Sequence, residues 1–136
     1  MGHLDRSIAD GTDGASNCPF CMHEHELIAD STDAFAILDK FPVNPGHVLV
    51  IPKRHVASYF DLSDQERLAC WLMVQHVQHL IQERHNPDGF NLGINIGMAA
   101  GQTIYHVHIH LIPRYLGDIP EPRGGVRGVI PDKRNY

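Results

Sequence analysis

The chain has 136 residues, 43% hydrophobic and 20% charged, with a formal net charge of −5, a length and balance suited to one soluble folding unit with its own core. No apolar run approaches the roughly eighteen residues of a membrane-spanning helix, and Lys and Arg are scattered outside the tail, so neither a membrane anchor nor a nucleic-acid groove is expected. Eleven histidines stand out.

Residues 1–17, "MGHLDRSIADGTDGASN", are polar and Gly-rich and read as a flexible arm, without the basic start and apolar centre of a signal peptide. Residues 18–136 are expected to form a single domain. "CPFC" follows at Cys18 and Cys21. A two-residue gap lets both thiolates reach one tetrahedral ion, and a redox motif, the alternative, would need a preceding strand and a clear helix after it. With three cysteines and no disulfide framework, reduced thiols and a cytoplasmic location are expected.

Segments 34–40 and 47–52, rich in Ile, Leu and Val, predict two antiparallel strands around a turn at Pro42 to Gly46. Next comes one long helix. Ser63 and Glu66 stand at capping-box spacing, and Asn86, Pro87 and Gly89 end it. Its predicted buried face holds Leu68, Leu72, Met73, Val77, Leu80 and Ile81, with Cys70 simply buried. "FNLGINIG" and "YHVHIHLIP" predict a second hairpin around the Gly-rich turn "MAAGQT". From about Leu116 the tail carries Pro and Gly clusters and is expected to be irregular, with a short strand near Val126 to Ile130. Strands, helix, strands in so short a chain predict an α+β fold.

"YHVHIHLIPR" carries the chemistry. In an extended strand His106, His108 and His110 share one face, with Val107, Ile109 and Leu111 on the other. Simple exposure to water would seldom select His three times at period two. A catalytic zinc could take neighbours two apart, but residues four apart on a strand stand about 13 Å apart at the backbone. In the third reading His108 is a nucleophile toward phosphorus. A neutral imidazole attacks with one nitrogen while the other keeps its proton on an acceptor, and flanking imidazoles donate to phosphoryl oxygens.

"GQTIYHVHIHLIPR" resembles the signature of the histidine-triad (HIT) superfamily, His-φ-His-φ-His-φ-φ with φ apolar. "FPVNPGHVLVIPKRH" is similar to the family's first hairpin and "NIGMAAGQT" to its phosphate-contacting loop, so that the likeness runs from about Cys18 to Tyr115, nearest to the fragile-histidine-triad and dinucleoside-polyphosphate-hydrolase branch. The resemblance implies a HIT-like fold: an antiparallel sheet of about five strands, one long helix and a short N-terminal helical segment. It implies a nucleotide hydrolase, with His108 attacking the α-phosphorus of a nucleotide conjugate and water releasing the nucleotidyl-histidine. His110 and His47 would line the α-phosphate, Asn95 and Gln102 bind phosphate oxygens, Thr103 reach the bridging or leaving group, and Asp39 accept from ribose hydroxyls. It also implies a structural zinc on Cys18, Cys21, His55 and His106, no organic cofactor, and a homodimer; His23 and His25, nearer the cysteines in sequence, are alternative ligands. A transferase or phosphorylase using the same intermediate, and a nucleotide-binding sensor, are the alternatives.

Overall fold

The computed structural model describes residues 17–22 and 25–136. The flexible arm expected at residues 1–17 therefore lies outside the described residues, apart from Asn17. Five strands form one antiparallel sheet: β1 Leu27–Asp30, β2 Ala34–Leu38, β3 Val48–Pro52, β4 Gly89–Gly93 and β5 Ile109–Arg114, in the order β1-β2-β3-β5-β4. A short helix α1, Pro19–Met22, precedes β1, and the long helix α2, Asp64–His85, joins the two predicted hairpins.

The period-two pattern of β2, β3 and β5 sorts their side chains onto two faces. Ala34, Ala36, Val48, Val50, Ile109 and Leu111 lie in one cluster with Cys70, Met73, Val74, Val77 and Ile81 of α2, and burying each larger aliphatic chain contributes about 1.5–3 kcal/mol. On the other face Phe35, Ile37, Leu49 and Ile51 pack with Cys18 and Phe20 of the N-terminal turn. Helix α2 starts as expected, for Ser63 Oγ accepts from the Glu66 amide at 3.1 Å and Glu66 Oε1 from the Ser63 amide at 2.8 Å. It ends at Asn86 in the left-handed conformation, φ 49°.

Several expectations are corrected. Regular pairing of β5 begins only at Ile109, so that of the three histidines His110 alone sits in the strand and His106 and His108 precede it. Leu68 and Leu72 are exposed and Val74 is buried; at 100° per residue both leucines stand roughly 160° from the centre of the buried stripe, because a three- and four-residue rhythm on a helix with apolar residues all round fits more than one face. The tail forms no strand near Val126 to Ile130 but a 3₁₀ turn, Gly125–Val129, opened by Gly124 and Gly125 with φ of 92° and 52°. The fifth strand is β1, in a segment read without a regular pattern. No described helix is long and apolar enough to cross a membrane.

Candidate active site and metal-ligand cluster

His47 sits just before β3 on the side of the sheet away from α2, and His110 projects from β5 on the same side. The register brings them together, since Leu49 pairs with His110. His47 Nδ1 accepts the Val43 amide at 3.0 Å, so in its neutral ring Nε2 holds the proton. That nitrogen is 2.9 Å from His110 Nδ1, which accepts and leaves Nε2–H as the donor of His110. Burial lowers the pKa of His47 against the opposing charge of Asp39, and burial with the neighbouring His108 and His47 lowers that of His110 to about 4. Both rings are neutral at pH 7.

His108 Nδ1 is 2.8 Å from the His106 carbonyl oxygen. A carbonyl only accepts, so Nδ1 carries the hydrogen and Nε2 keeps its lone pair. Burial also holds this ring's pKa down, opposed by the bond to His106 and the charge of Asp39. The ring pair His108 and His110 meets edge-on with centroids 5.1 Å apart.

His108 and His110 line a cavity of about 570 Å³, whose wall also holds Asp39, Asn95, Thr103, Phe20, His25 and Ile37. Asp39 receives the Phe41 amide at 2.9 Å and lies 3.5 Å from His47 Nε2. Asn95 and Thr103 are exposed at this wall. Gln102 is placed otherwise than expected. It is 5% exposed and does not line the cavity; its Oε1 accepts the Gly97 amide at 2.8 Å and its Nε2 donates to the Ala57 and Ile104 carbonyls at 2.8 and 3.2 Å. These bonds fill its amide with loop-holding work, because a buried polar group without partners is costly.

Cys18, Cys21, His55 and His106 form a second cluster, with ligand atoms within 4.8 Å of one another. His106 Nε2 donates to the Pro52 carbonyl at 2.7 Å, which turns its Nδ1 lone pair inward. Both sulfurs lie 3.4 Å from that Nδ1, and His55 Nδ1 is 3.2 Å from it and 3.3 Å from Cys21 Sγ. Ligands of a tetrahedral zinc stand about 3.3–3.6 Å apart for nitrogen and sulfur, so this donor set fits such an ion. Desolvation of its thiol and the adjacent Cys18 push Cys21 up to about 11, so that it stays protonated at neutral pH unless a cation replaces the proton. His25 is not in the cluster, its Nε2 donating to the Pro19 carbonyl at 2.8 Å; His23 lies outside the described residues. Asp39, His47 and His110 also stand close enough to share an ion, but their 2.9 Å ring contact is of hydrogen-bond length.

Phe20 and His25 are among the cavity residues that were not anticipated. Phe20 lies between the paired cysteines, and its ring meets those of His106 and His108 edge-on at 5.8 and 5.2 Å. Its place follows from the cysteine pair meeting His106, a contact across 85 residues that no local pattern announces.

A family model described as "HIT domain" matches residues 22–117. The bis(5'-adenosyl)-triphosphatase of Dictyostelium discoideum is 42% identical over 96 residues, covering 71% of this chain and 64% of that protein. The AP-4-A phosphorylase of Mycobacterium tuberculosis is 37% identical over 93 residues, covering 68% and 48%. Thus the chain spans 64% and 48% of these relatives' lengths. The crystal structure of a HIT family protein from Bacillus anthracis superposes with a TM-score of 0.72 at 38% identity, covering 76% of this chain and 77% of that one. With the triad, the five-stranded sheet and its single long helix in agreement, this chain belongs to the HIT family.

Proposed function

We propose that this protein cleaves a nucleotide conjugate, a dinucleoside polyphosphate or a nucleoside phosphoramidate, at its α-phosphate through a covalent intermediate on His108. The observation that carries this reading is the bond from His108 Nδ1–H to the His106 carbonyl. It leaves Nε2 as a neutral, oriented nucleophile on a residue that lines the cavity.

Nε2 attacks the α-phosphorus, the bond to the leaving oxygen or nitrogen breaks, and the nucleotidyl group rests on His108. Water then attacks the same phosphorus, the phosphorus–nitrogen bond breaks, and the imidazole returns neutral with release of a nucleoside monophosphate. His110 donates from Nε2–H to the phosphoryl oxygens in both steps, held in that tautomer by His47. Thr103 contacts the bridging or leaving atom, Asn95 an oxygen of the phosphate, and Asp39 the ribose hydroxyls. Gln102 shapes the loop that presents Asn95 and Thr103.

Cys18, Cys21, His55 and His106 hold zinc in this reading, and when bound the ion supplies a cross-link between the N-terminal turn and the triad segment. Homodimerisation belongs to the same proposal, supported by β4 at the edge of the sheet and by exposed Leu68 and Leu72 on the outer side of α2; light scattering on the eluting protein measures it.

Rapid quenching in denaturant followed by intact-mass measurement tests the central step. A one-nucleotide adduct on the wild type and none on His108→Ala is expected, and turnover that survives His108→Ala without an adduct overturns the reading. The similarity to a protein named AP-4-A phosphorylase favours one second reading, in which inorganic phosphate takes the nucleotidyl group. Nucleoside diphosphate in place of monophosphate, when phosphate is added, identifies it.

A further inference from the structure

We infer that the Cys18, Cys21, His55 and His106 cluster positions the nucleophile: a zinc ion held there fixes the ring of His108 through the carbonyl oxygen of His106 and the side chain of Phe20. This rests on His108 being the nucleophile and adds a second task to a centre otherwise read as a structural cross-link.

Two contacts carry it. His106 belongs to both sites, its side chain pointing Nδ1 into the cluster while its main-chain oxygen accepts the His108 Nδ1 hydrogen at 2.8 Å. Phe20 stands between the two cysteine ligands, 9% exposed, with its ring edge-on to His108 at 5.2 Å. The turn that closes on the ion is therefore also the wall that limits rotation of the nucleophilic ring.

His106 and Phe20 are buried, but few backbone hydrogen bonds hold the segments that carry them. Pairing of β5 starts at Ile109, and the stretch before it is tied to the rest of the backbone by the Val107 amide on the Val56 carbonyl at 2.8 Å. Helix α1 has four residues, far short of the length at which a helix is stable unaided. Four ligand bonds join these two segments to each other and to His55, just after β3. His106 in turn has its Nε2–H on Pro52, the outer hydrogen bond that orients a ligating imidazole. Without the ion, His106 Nδ1 is held only by hydrogen bonds, from His55 Nδ1 at 3.2 Å and from the two thiols at 3.4 Å, each weaker than a ligand bond, so the His106 main chain is freer to move. A displaced His106 carbonyl no longer holds the hydrogen of His108 on Nδ1, and the ring then exchanges between its two tautomers, one of which presents N–H to the substrate instead of a lone pair. His106 and Phe20 are positioning residues on this account.

The test is nitrogen NMR of the full chain with labelled histidine, comparing protein loaded with zinc, stripped by chelator, and reloaded. Loaded protein is expected to give His108 as a single Nδ1–H tautomer with a slowly exchanging proton. Stripped protein should show its two ring nitrogens averaged, at least a tenfold faster exchange, and recovery on adding zinc. The His108 signature staying the same in stripped, folded protein overturns the inference, as does a chain that takes up no zinc. Where stripping unfolds the chain, Phe20→Leu decides, for it keeps all four ligands: zinc content unchanged with faster His108 exchange supports the inference, and unchanged exchange overturns it. Neither readout needs a substrate, so failure to cleave nucleotides and failure of this coupling are separate results.

Discussion

His47 and His110, 63 residues apart in sequence, meet at 2.9 Å between Nε2 and Nδ1, and the direction of that bond is set by a third group, the Val43 amide on His47 Nδ1. One backbone N–H thus dictates the tautomer of two rings in succession and ends in a donor on His110. Asp39, 3.5 Å from the same His47 nitrogen, offers a longer second acceptor. The chain of bonds runs from the turn before β3 to the cavity with no charged imidazole in it.

Removing the last donor should cost rate. His110→Ala is expected to lower kcat by about 10²–10³-fold, the usual loss for one transition-state hydrogen-bond donor, while KM changes little. Steady-state kinetics on a cleaved conjugate measures it, and a KM effect alone would make His110 a ground-state binding residue.

Acid should destabilise the fold in a defined window. With the His110 pKa lowered to about 4 against about 6.5 in an unfolded chain, the ring takes its proton mainly on unfolding between those values. The contribution of the neutral ring is full above about pH 6.5 and is lost as pH falls toward 4, with a slope of up to about 1.4 kcal/mol per pH unit. Urea unfolding between pH 7 and pH 5 reads the summed slope. His110→Gln should reduce it, leaving the share of His47, His55, His106 and His108, whose pKa values burial also lowers.

Gly46 occupies a position that a side chain would disturb. Its φ is +90°, and a Cβ there would lie 2.9 Å from His85, 3.1 Å from Ile81 and 3.2 Å from Pro113. Gly46→Ala should cost about 1–3 kcal/mol and, because His47 follows directly, reduce turnover beyond what lost stability explains. Chemical denaturation together with kinetics on the folded fraction separates the two effects.

Gln102 and Asn95 should respond differently. Gln102 makes three bonds to backbone groups, so Gln102→Ala leaves the Gly97 amide and two half-buried carbonyls without their partner and should destabilise by about 1–3 kcal/mol. Asn95→Ala, at the exposed rim of the cavity, should stay within about 0.5 kcal/mol of wild type and raise KM. Melting curves and KM values for both variants check the contrast, which a direct phosphate role for Gln102 would blur.

The capping box at Ser63, the stop at Asn86 and the two hairpins were legible because each depends on residues a few positions apart: a hydroxyl reaching three residues on, a left-handed cap, side chains alternating at period two. The triad was legible for the same reason, and the tautomer logic behind the proposed nucleophile His108 needs only one acceptor for its second nitrogen. The sequence did not disclose which acceptor that is, nor that β3 and β5 lie side by side, nor that the cysteine turn closes over His106 and lays Phe20 against the ring of His108. Neither did it separate the buried side of α2 from the side carrying Leu68 and Leu72, or set Gln102 apart from its neighbours in the loop. Local periodicity limits what a segment can bury or donate. Which segment receives it is decided by strand order and packing across 45 to 88 residues of chain, where a contact is selected by the burial and hydrogen bonding of the whole fold and leaves no mark on the residues beside it.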